Sequence, residues 1–252
     1  LDVGPLPAEL QSVGAKTDLL VQRVRAALER ERVTTADIAH ELRTPLSELL
    51  TVSEVALRDS EEPAGARRAL TTVRDVSARM GRSVATLLEL ARLEMGAQTP
   101  ERAEVELDAL VSECLRPLAA QARERELALD CALPEGARVV GDREILRLVL
   151  ANLLGNAVHY ATPASHVTCA FERTGGGWRL TLENRTDELE SADLAALARP
   201  FWRKDRARSD RNRTGLGLAL SRALAERAGL ELSFTLAAGT FRATVGGRDG
   251  PG

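Results

Sequence analysis

Apolar residues recur at steps of three and four along residues 66–95, and this period constrains the fold more than any other feature of the chain. The positions are Leu70, Val73, Val76, Met80, Val84, Leu87 and Ala91. Such spacing forms one apolar stripe along an α-helix, which is the seam along which helices pack side by side. A helical pattern also covers residues 34–58, and turn-forming residues fill 59–65. The sequence therefore predicts an antiparallel helical hairpin.

A single hairpin has too little surface to bury the apolar stripes of both its helices. Pairing with a second copy, to give a four-helix bundle, is the simplest way to cover them. We therefore predict a homodimer through residues 34–95.

The first helix carries the stretch DIAHELRTPLSEL at residues 37–49. His40 and Thr44 are four positions apart and share a helix face, with Glu41 at the edge of that face. The apolar residues Ile38, Leu42, Leu46 and Leu49 fall on the other side. A nucleophile, a candidate base and a hydroxyl are thus predicted to face solvent. A lone histidine on a helix is usually an ordinary surface residue, but this chain has only three histidines.

The period changes after residue 96, and a second domain of mixed type is predicted. We expect a linker or signalling helix at 1–33, the hairpin domain at 34–96, a linker at 97–104 and an α+β sandwich at 105–247, with helices on one face of a mixed sheet. Strands are predicted at 105–107, 127–133, 139–140, 167–173, 178–183, 230–236 and 240–245. Helices are predicted at 108–125, 193–198, 216–228 and, after an Asp142 cap, up to Tyr160.

Composition excludes some classes of function. The net charge of −3 provides no basic excess for binding nucleic acid. The three cysteines, Cys114, Cys131 and Cys169, lack the spacing of metal ligands and are expected to be buried free thiols in a reducing compartment. No apolar run reaches the roughly 18 residues of a membrane-spanning helix. Because the chain begins with Leu1 rather than methionine, we expect an excised fragment whose upstream parts are missing.

Four motifs together resemble one family. HELRTPL resembles the phosphoacceptor box of bacterial sensor histidine kinases. NLLGNAVHY, at residues 152–160, resembles the asparagine box of the histidine-kinase and gyrase type of ATP-binding fold. Phe201 and Trp202 match the aromatic box that anchors the ATP lid, and RTGLGLAL, at residues 213–220, resembles the second glycine box. The motifs also occur in the order expected for that family.

This resemblance implies transfer of the ATP γ-phosphoryl group to His40, followed by relay to an aspartate of a response regulator. Glu41 would orient the imidazole and take its proton, and Thr44 would position water for dephosphorylating the regulator. The protein would be the cytoplasmic portion of an inner-membrane sensor.

The resemblance also implies roles for the nucleotide-binding residues. Asn156 would ligate Mg²⁺, Asn152 would support the phosphates, and Tyr160 would pack against adenine. His159 stands where the family often has a lysine. Gly215 and Gly217 would let the backbone approach phosphate, flanked by Leu216 and Leu218, where a helix begins. Lys204, Arg206 and Arg208 lie in the lid, where one of them could reach the γ-phosphate, although a solvated basic loop is the stronger expectation for any single one.

The chain departs from the family at residues 183–189, ENRTDEL, where an aspartate usually accepts a hydrogen bond from the adenine amine and glycines follow. Asn184 takes the aspartate position, and Asp187 is a less favoured substitute. Arg213 also replaces a glycine. Three alternatives therefore stay open: a degenerate kinase that acts as a phosphatase or dimeric scaffold, a coiled-coil adaptor, and a gyrase-like ATPase. The last of these would leave the phosphoacceptor box unexplained.

Overall fold

The computed structural model describes residues 43–58, 63–94, 100–204 and 215–248. These residues divide into two compact units, with the boundary between Ser77 and Ala78. His40 and Glu41, and Arg206 and Arg208, lie outside the described residues. In the part of the chain that the structure describes, no helix is long and apolar enough to cross a membrane.

The helical hairpin is confirmed. Helix α1 covers residues 43–58, and α2 spans Pro63–Glu94. The predicted start of α2 near Ala66 is wrong by about one turn, because the proline itself begins the helix. Its fixed φ suits the first helical position, and its missing N–H is not needed there.

Each helix of the hairpin has only one of its apolar faces buried within the chain. The half-buried apolar residues of α1 lie on one stripe with steps of three and four: Pro45, Leu49, Val52 and Ala56. On α2, Val76 is only 3% exposed. By contrast, Leu46 is 51% exposed and Leu70 is 69% exposed. A two-helix hairpin therefore leaves a second apolar stripe uncovered within one chain, as expected of a hairpin with too little surface to bury both.

Beyond the C-terminal part of α2, the second unit contains seven strands and four further α-helices among the described residues. Its elements are β1 (Ala103–Glu106), α3 (Leu107–Leu115), a 3₁₀ turn (Arg116–Leu118), α4 (Ala119–Glu124), β2 (Ala128–Asp130), β3 (Arg138–Gly141), α5 (Arg143–Tyr160), β4 (His166–Thr174), β5 (Gly177–Arg185), a 3₁₀ turn (Ser191–Asp193), α6 (Gly217–Ala228), β6 (Glu231–Ala237) and β7 (Thr240–Arg248).

The predicted mixed sheet with helices on one face is confirmed. Five strands pair in the order β2-β4-β5-β7-β6, where β2 runs parallel to β4 and the other pairs are antiparallel. Strands β1 and β3 form a separate antiparallel ribbon. Inward-facing strand residues such as Leu180 and Leu182 share one apolar core with α3, α5 and α6, while alternate residues such as Arg179 face solvent.

Three predicted elements differ from the structure. The helix predicted at 108–125 is broken into α3, a 3₁₀ turn and α4, since Pro117 offers no backbone N–H to continue the helix. The helix predicted at 193–198 is instead a 3₁₀ turn followed by irregular turns. The strand predicted at 127–133 is paired only over Ala128–Asp130.

The expectation of three free thiols is wrong for two of them. Cys131 and Cys169 are joined by a disulfide, with their Cα atoms 4.3 Å apart, whereas Cys114 is free and buried. The parallel register pairs Leu129 with Val167 and Asp130 with Thr168, and so places Cys131 beside Cys169. The two cysteines are 38 positions apart in the chain, and only strand pairing brings them together.

Helix α5, which lies at the centre of the core, has a strong N-terminal cap. One carboxylate oxygen of Asp142 accepts hydrogen bonds from the backbone N–H groups of Glu144 and Ile145, each at 3.0 Å. The other oxygen accepts from the N–H of Glu101, also at 3.0 Å. The cap therefore satisfies two otherwise free amides of α5 and fastens the chain that enters β1.

Replacement of Asp142 by alanine should lower the free energy of unfolding of this unit by about 1–2 kcal/mol, because both helix amides lose their acceptor. Urea unfolding followed by tryptophan fluorescence measures this, since both tryptophans, Trp178 and Trp202, belong to this unit. Asp142→Asn keeps an oxygen acceptor and should retain most of the stability. Equal stability of the alanine variant and the parent would contradict the capping role.

Candidate nucleotide site

Helices α5 and α6 approach each other closely at Gly217. A Cβ atom on Gly217 would lie 3.0 Å from the side-chain oxygen of Asn152, a distance that real Cβ contacts rarely reach. Glycine thus lets the first residue of α6 pack against the asparagine face of α5. Asn156 lies one turn further along the same face of α5, and both asparagines are half-buried.

The N-terminus of α6 has no side-chain cap. Leu216 occupies the N-cap position, is fully buried and cannot accept a hydrogen bond through its side chain. Leu218, in the first turn, packs against the core. Among the described residues the N-cap side chain therefore offers no acceptor to the first backbone N–H groups of α6, and the helix dipole places partial positive charge there. Beside Asn152, this helix end has the chemistry that binds phosphate.

The chain is held together on both sides of residues 205–214. The N–H of Phe201 donates to the carbonyl oxygen of Gly215 at 3.1 Å. Phe201 is 2% exposed and has a positive φ of 61°, which is unusual for a residue with a side chain. Gly215 also has a positive φ, and a Cβ there would lie 2.7 Å from the carbonyl oxygen of Trp202. Only glycine fits this position.

The C-terminal end of α5 carries His159 and Tyr160. Both residues are half-buried, and their rings meet edge to face with centroids 4.7 Å apart. Nδ1 of His159 lies 3.4 Å from the side-chain nitrogen of Gln121 on α4. The imidazole is therefore oriented by α4 as well as by its own helix.

Asn184 occupies an interior position at the end of β5. It is 3% exposed and points to the same side of the sheet as Leu180 and Leu182. Its amide nitrogen donates to the carbonyl oxygen of Arg185 at 3.3 Å, and no other hydrogen bond of this side chain is found within the described residues. Asn184 thus retains an amide oxygen as an acceptor.

Asp187 lies outside the core instead. Its carboxylate is exposed and accepts a hydrogen bond from the Thr162 hydroxyl at 3.0 Å. The N–H of Thr162 donates to the carbonyl oxygen of Arg185 at 2.8 Å, which ties the exit of α5 to the end of β5. Asn184 and the residues that follow Tyr160 are therefore neighbours, whereas Asp187 fastens the surface.

Sequence reasoning missed an ion cluster built on Lys204. The Lys204 ammonium lies 2.7 Å from a carboxylate oxygen of Glu190 and 2.9 Å from one of Asp193. The hydrogen bonds that Lys204 donates, first to Glu190 and then to Asp193, raise the pKa of Lys204. The backbone N–H of Glu190, followed by Lys204, lowers the pKa of Asp193. Lys204 is therefore engaged by acids in this structure. The Glu190-x-x-Asp193 spacing, which is that of a capping box, was the sequence feature that could have indicated an ordered acidic turn here.

The described residues bring part of the predicted site together. Asn152 contacts Gly217 beside Leu216, and Phe201 contacts Gly215. On the other unit, Thr44 is exposed on α1, in agreement with its predicted orientation towards solvent. The fold and this site define a class: a mixed-sheet nucleotide-binding unit that follows a helical hairpin.

Comparisons with known proteins agree with this class. Residues 30–96 match the His Kinase A (phospho-acceptor) domain, and residues 141–246 match the histidine kinase-, DNA gyrase B- and HSP90-like ATPase. The chain is 30% identical over 186 residues to the sensor-like histidine kinase SenX3 of Mycolicibacterium smegmatis, covering 73% of this chain and 48% of that protein. It is 32% identical over 224 residues to the sensor protein kinase PmrB of Pseudomonas aeruginosa, covering 89% and 46%.

Solved structures show the same fold. A histidine kinase AdeS of Acinetobacter baumannii superposes with a TM-score of 0.69 at 21% identity, covering 84% of this chain and 98% of that one. Histidine kinase ThkA, solved in complex with response regulator protein TrrA, also gives a TM-score of 0.69, at 18% identity, covering 90% and 64%. The chain belongs to the sensor histidine kinases of two-component systems. It spans about half the length of the curated relatives it matches.

Replacement of Gly215 by alanine should destabilise the nucleotide unit by at least about 1 kcal/mol, because the new Cβ meets backbone atoms at a positive φ. Urea unfolding followed by tryptophan fluorescence provides the measurement. Gly175→Ala is the matched control, because a Cβ there meets nothing within 4 Å and its φ is not positive. If both variants were as stable as the parent, the close approach at Gly215 would be refuted.

Proposed function

We propose that this chain is the catalytic core of an ATP-dependent protein-histidine kinase, which phosphorylates His40 and passes the phosphoryl group to an aspartate of a response regulator. The contact between Asn152 and Gly217 at the start of α6 carries the proposal, because it combines an amide side chain with backbone N–H groups that the N-cap side chain of Leu216 does not cap. A chain with HELRTPL at residues 40–46 also supplies an acceptor for the phosphoryl group.

The phosphates of ATP fit the groups that meet at this helix start. Asn152 and the first amides of α6 would donate to phosphate oxygens, and Gly215 and Gly217 would leave room for the close approach. Asn156 presents an amide oxygen, the ligand type that Mg²⁺ prefers, and a bound Mg²⁺ would offset phosphate charge there. His159 would donate a hydrogen bond at the same end of α5. Arg206 and Arg208 remain candidates for the γ-phosphate.

The transfer step follows from the chemistry of imidazole. At neutral pH a large fraction of histidine side chains is uncharged, and a ring nitrogen of His40 can attack the γ-phosphorus. The bond from phosphorus to the oxygen that bridges the β- and γ-phosphates breaks, and ADP leaves. Glu41 would accept the ring proton that the new N–P bond displaces. Thr44, exposed one helical turn away, would position water when the regulator is dephosphorylated.

The base of the nucleotide would meet Asn184 and Tyr160. Asn184 is interior and has a free oxygen acceptor, so it can accept a hydrogen bond from the adenine amine without carrying charge. Tyr160 offers a ring for packing against the purine. Because this acceptor is retained, the site gives no support to the degenerate alternative.

The partners follow from exposed apolar surface and from relatives. Several large apolar side chains of the hairpin helices are exposed: Leu46, Leu50, Val55, Leu57, Leu70, Val84 and Leu88. A second copy of residues 34–95 would cover this surface as a four-helix bundle. The ThkA structure contains a response regulator, which supports the same class of partner here. A membrane anchor and sensor upstream of this segment, with this core in the cytoplasm, complete the proposal.

Incubation with γ-labelled ATP and magnesium should place an acid-labile, alkali-stable phosphate on His40. Label is measured after acid and alkali treatment and located by mass spectrometry. His40→Gln should remove the label because the acceptor nitrogen is lost, and Asn156→Ala should reduce it at least tenfold. His166→Gln is the matched control, since His166 is exposed and pairs with Asp130 at 2.6 Å. Label that survives in His40→Gln would refute the assignment.

Asn184→Leu should weaken ATP binding by roughly tenfold, because the loss of one buried hydrogen bond costs about 1–3 kcal/mol. Calorimetric titration with ATP and magnesium measures this, and Asn184→Asp, which keeps the acceptor, should still bind. Asp187→Asn serves as the control and should bind like the parent. If Asp187→Asn lost affinity and Asn184→Leu did not, Asp187 would be the residue that reads the base.

A further inference from the structure

Two cysteines that the proposed chemistry does not use lie at the edge of the five-stranded sheet. Cys131 directly follows β2, the short edge strand, and Cys169 lies opposite it within β4. The two residues are bonded through their sulfurs, and each is 8% exposed. The structure thus holds a cross-strand disulfide at a sheet edge, within a family whose kinase unit we place in a reducing compartment.

The disulfide closes a loop of the chain that contains α5, the helix proposed to bind the phosphates. Between Cys131 and Cys169 the chain passes through β3 and the whole of α5, and so carries Asn152 and Asn156. A crosslink restricts the conformations that such a loop can adopt. Formation or reduction of the disulfide therefore changes the covalent constraint on the loop that contains α5, the helix proposed to hold the phosphates.

Backbone contacts connect the same edge to the end of α5. The guanidinium of Arg125 donates to the carbonyl oxygen of Ala161 at 2.7 Å, directly after Tyr160. The N–H of Ala164 donates to the carbonyl oxygen of Arg125 at 3.1 Å, and the N–H of Ala128 in β2 donates to that of Ser165 at 3.0 Å. The segment that leads into β2 thus holds the exit of α5, and the disulfide fastens the far end of that strand.

We propose that Cys131 and Cys169 form a reversible thiol–disulfide couple, and that its redox state sets how tightly this unit binds nucleotide. The affinity part of this inference rests on the proposed function. The oxidised form keeps β2 against β4 and keeps the exit of α5 in place. In the reduced form β2 is joined to β4 by the pairing of three residues and by the exposed Asp130–His166 pair, without a covalent bond, and the end of α5 is held less firmly.

The chemistry requires a dithiol or disulfide partner. A thiolate of a reducing dithiol attacks one sulfur of the pair, forms a mixed disulfide and displaces the other cysteine as a thiolate, which takes a proton. The second thiol of the reductant then attacks the reductant's sulfur in the mixed disulfide. This step closes the reductant's own disulfide and releases the remaining cysteine. Two electrons and two protons pass to the protein, and the reductant becomes a disulfide. A small-molecule disulfide such as oxidised glutathione reverses the exchange. The short edge strand needs only local opening for access.

The test compares the full chain equilibrated with oxidised glutathione and with excess dithiothreitol. After removal of the reagent, the protein is unfolded in N-ethylmaleimide and weighed by mass spectrometry. The oxidised protein should gain one maleimide, on Cys114, and the reduced protein three. The reduced form should melt several degrees lower and bind ATP about fivefold more weakly, near the lower end of typical couplings between sites.

Two variants isolate the couple. Cys114→Ser should respond to both reagents as the parent does, because Cys114 lies outside the disulfide; its pKa is raised mainly by burial, which keeps this thiol unreactive. The double variant Cys131→Ser, Cys169→Ser should show the lower melting temperature and the weaker ATP binding in both reagents.

Three maleimides on the protein after oxidation would overturn the proposal, because no disulfide would then form. One maleimide with equal ATP affinity in both states would also overturn it. Absence of ATP binding in both states would instead refute the proposed nucleotide function. In that case the melting shift decides the couple: a shift that is abolished in the double variant supports it, and no shift overturns it.

Discussion

The close contact of α5 with α6 at Gly217 is the constraint on which the nucleotide unit depends. It places the asparagine face of one helix beside the uncapped start of another, and both helices rest on the same sheet core. A side chain at Gly217 would force Asn152 to move or the helices to separate, and the groups proposed to bind phosphate would no longer converge. The Asp142 cap and the interior leucines of α5 contribute by fixing that helix against the sheet.

Much of the fold could be predicted from period and turn chemistry. The three-and-four spacing along α2 identified the hairpin, and the Asp142 cap with an apolar run identified α5 almost to the residue. These features depend on residues close together in the chain, so they can be recognised from the sequence alone. The break at Pro117 was equally local, yet the apolar pattern on both sides hid it. The apolar pattern near Asp193 is too weak to distinguish the observed 3₁₀ turn from the predicted helix.

The site was less accessible to sequence reasoning, because its geometry comes from contacts between distant segments. The choice between Asn184 and Asp187 depended on where β5 ends: Asn184 lies within the strand and faces the core, and Asp187 lies beyond it and reaches Thr162 at the surface. The sequence around Lys204 predicts only a basic loop, whereas the structure pairs Lys204 with Glu190 and Asp193. The disulfide required the parallel register of β2 and β4, which no spacing within the sequence encodes.

The hydrogen bond between Phe201 and Gly215 has a consequence for evolution. Because Phe201 and Gly215 are fixed to each other, the fold has little sensitivity to the number of residues between them. The entropy of closing a flexible loop rises only slowly with its length, by about 0.6 kcal/mol for each doubling. Insertions or deletions between these two residues can therefore be accommodated without remaking the sheet or the two helices beneath it.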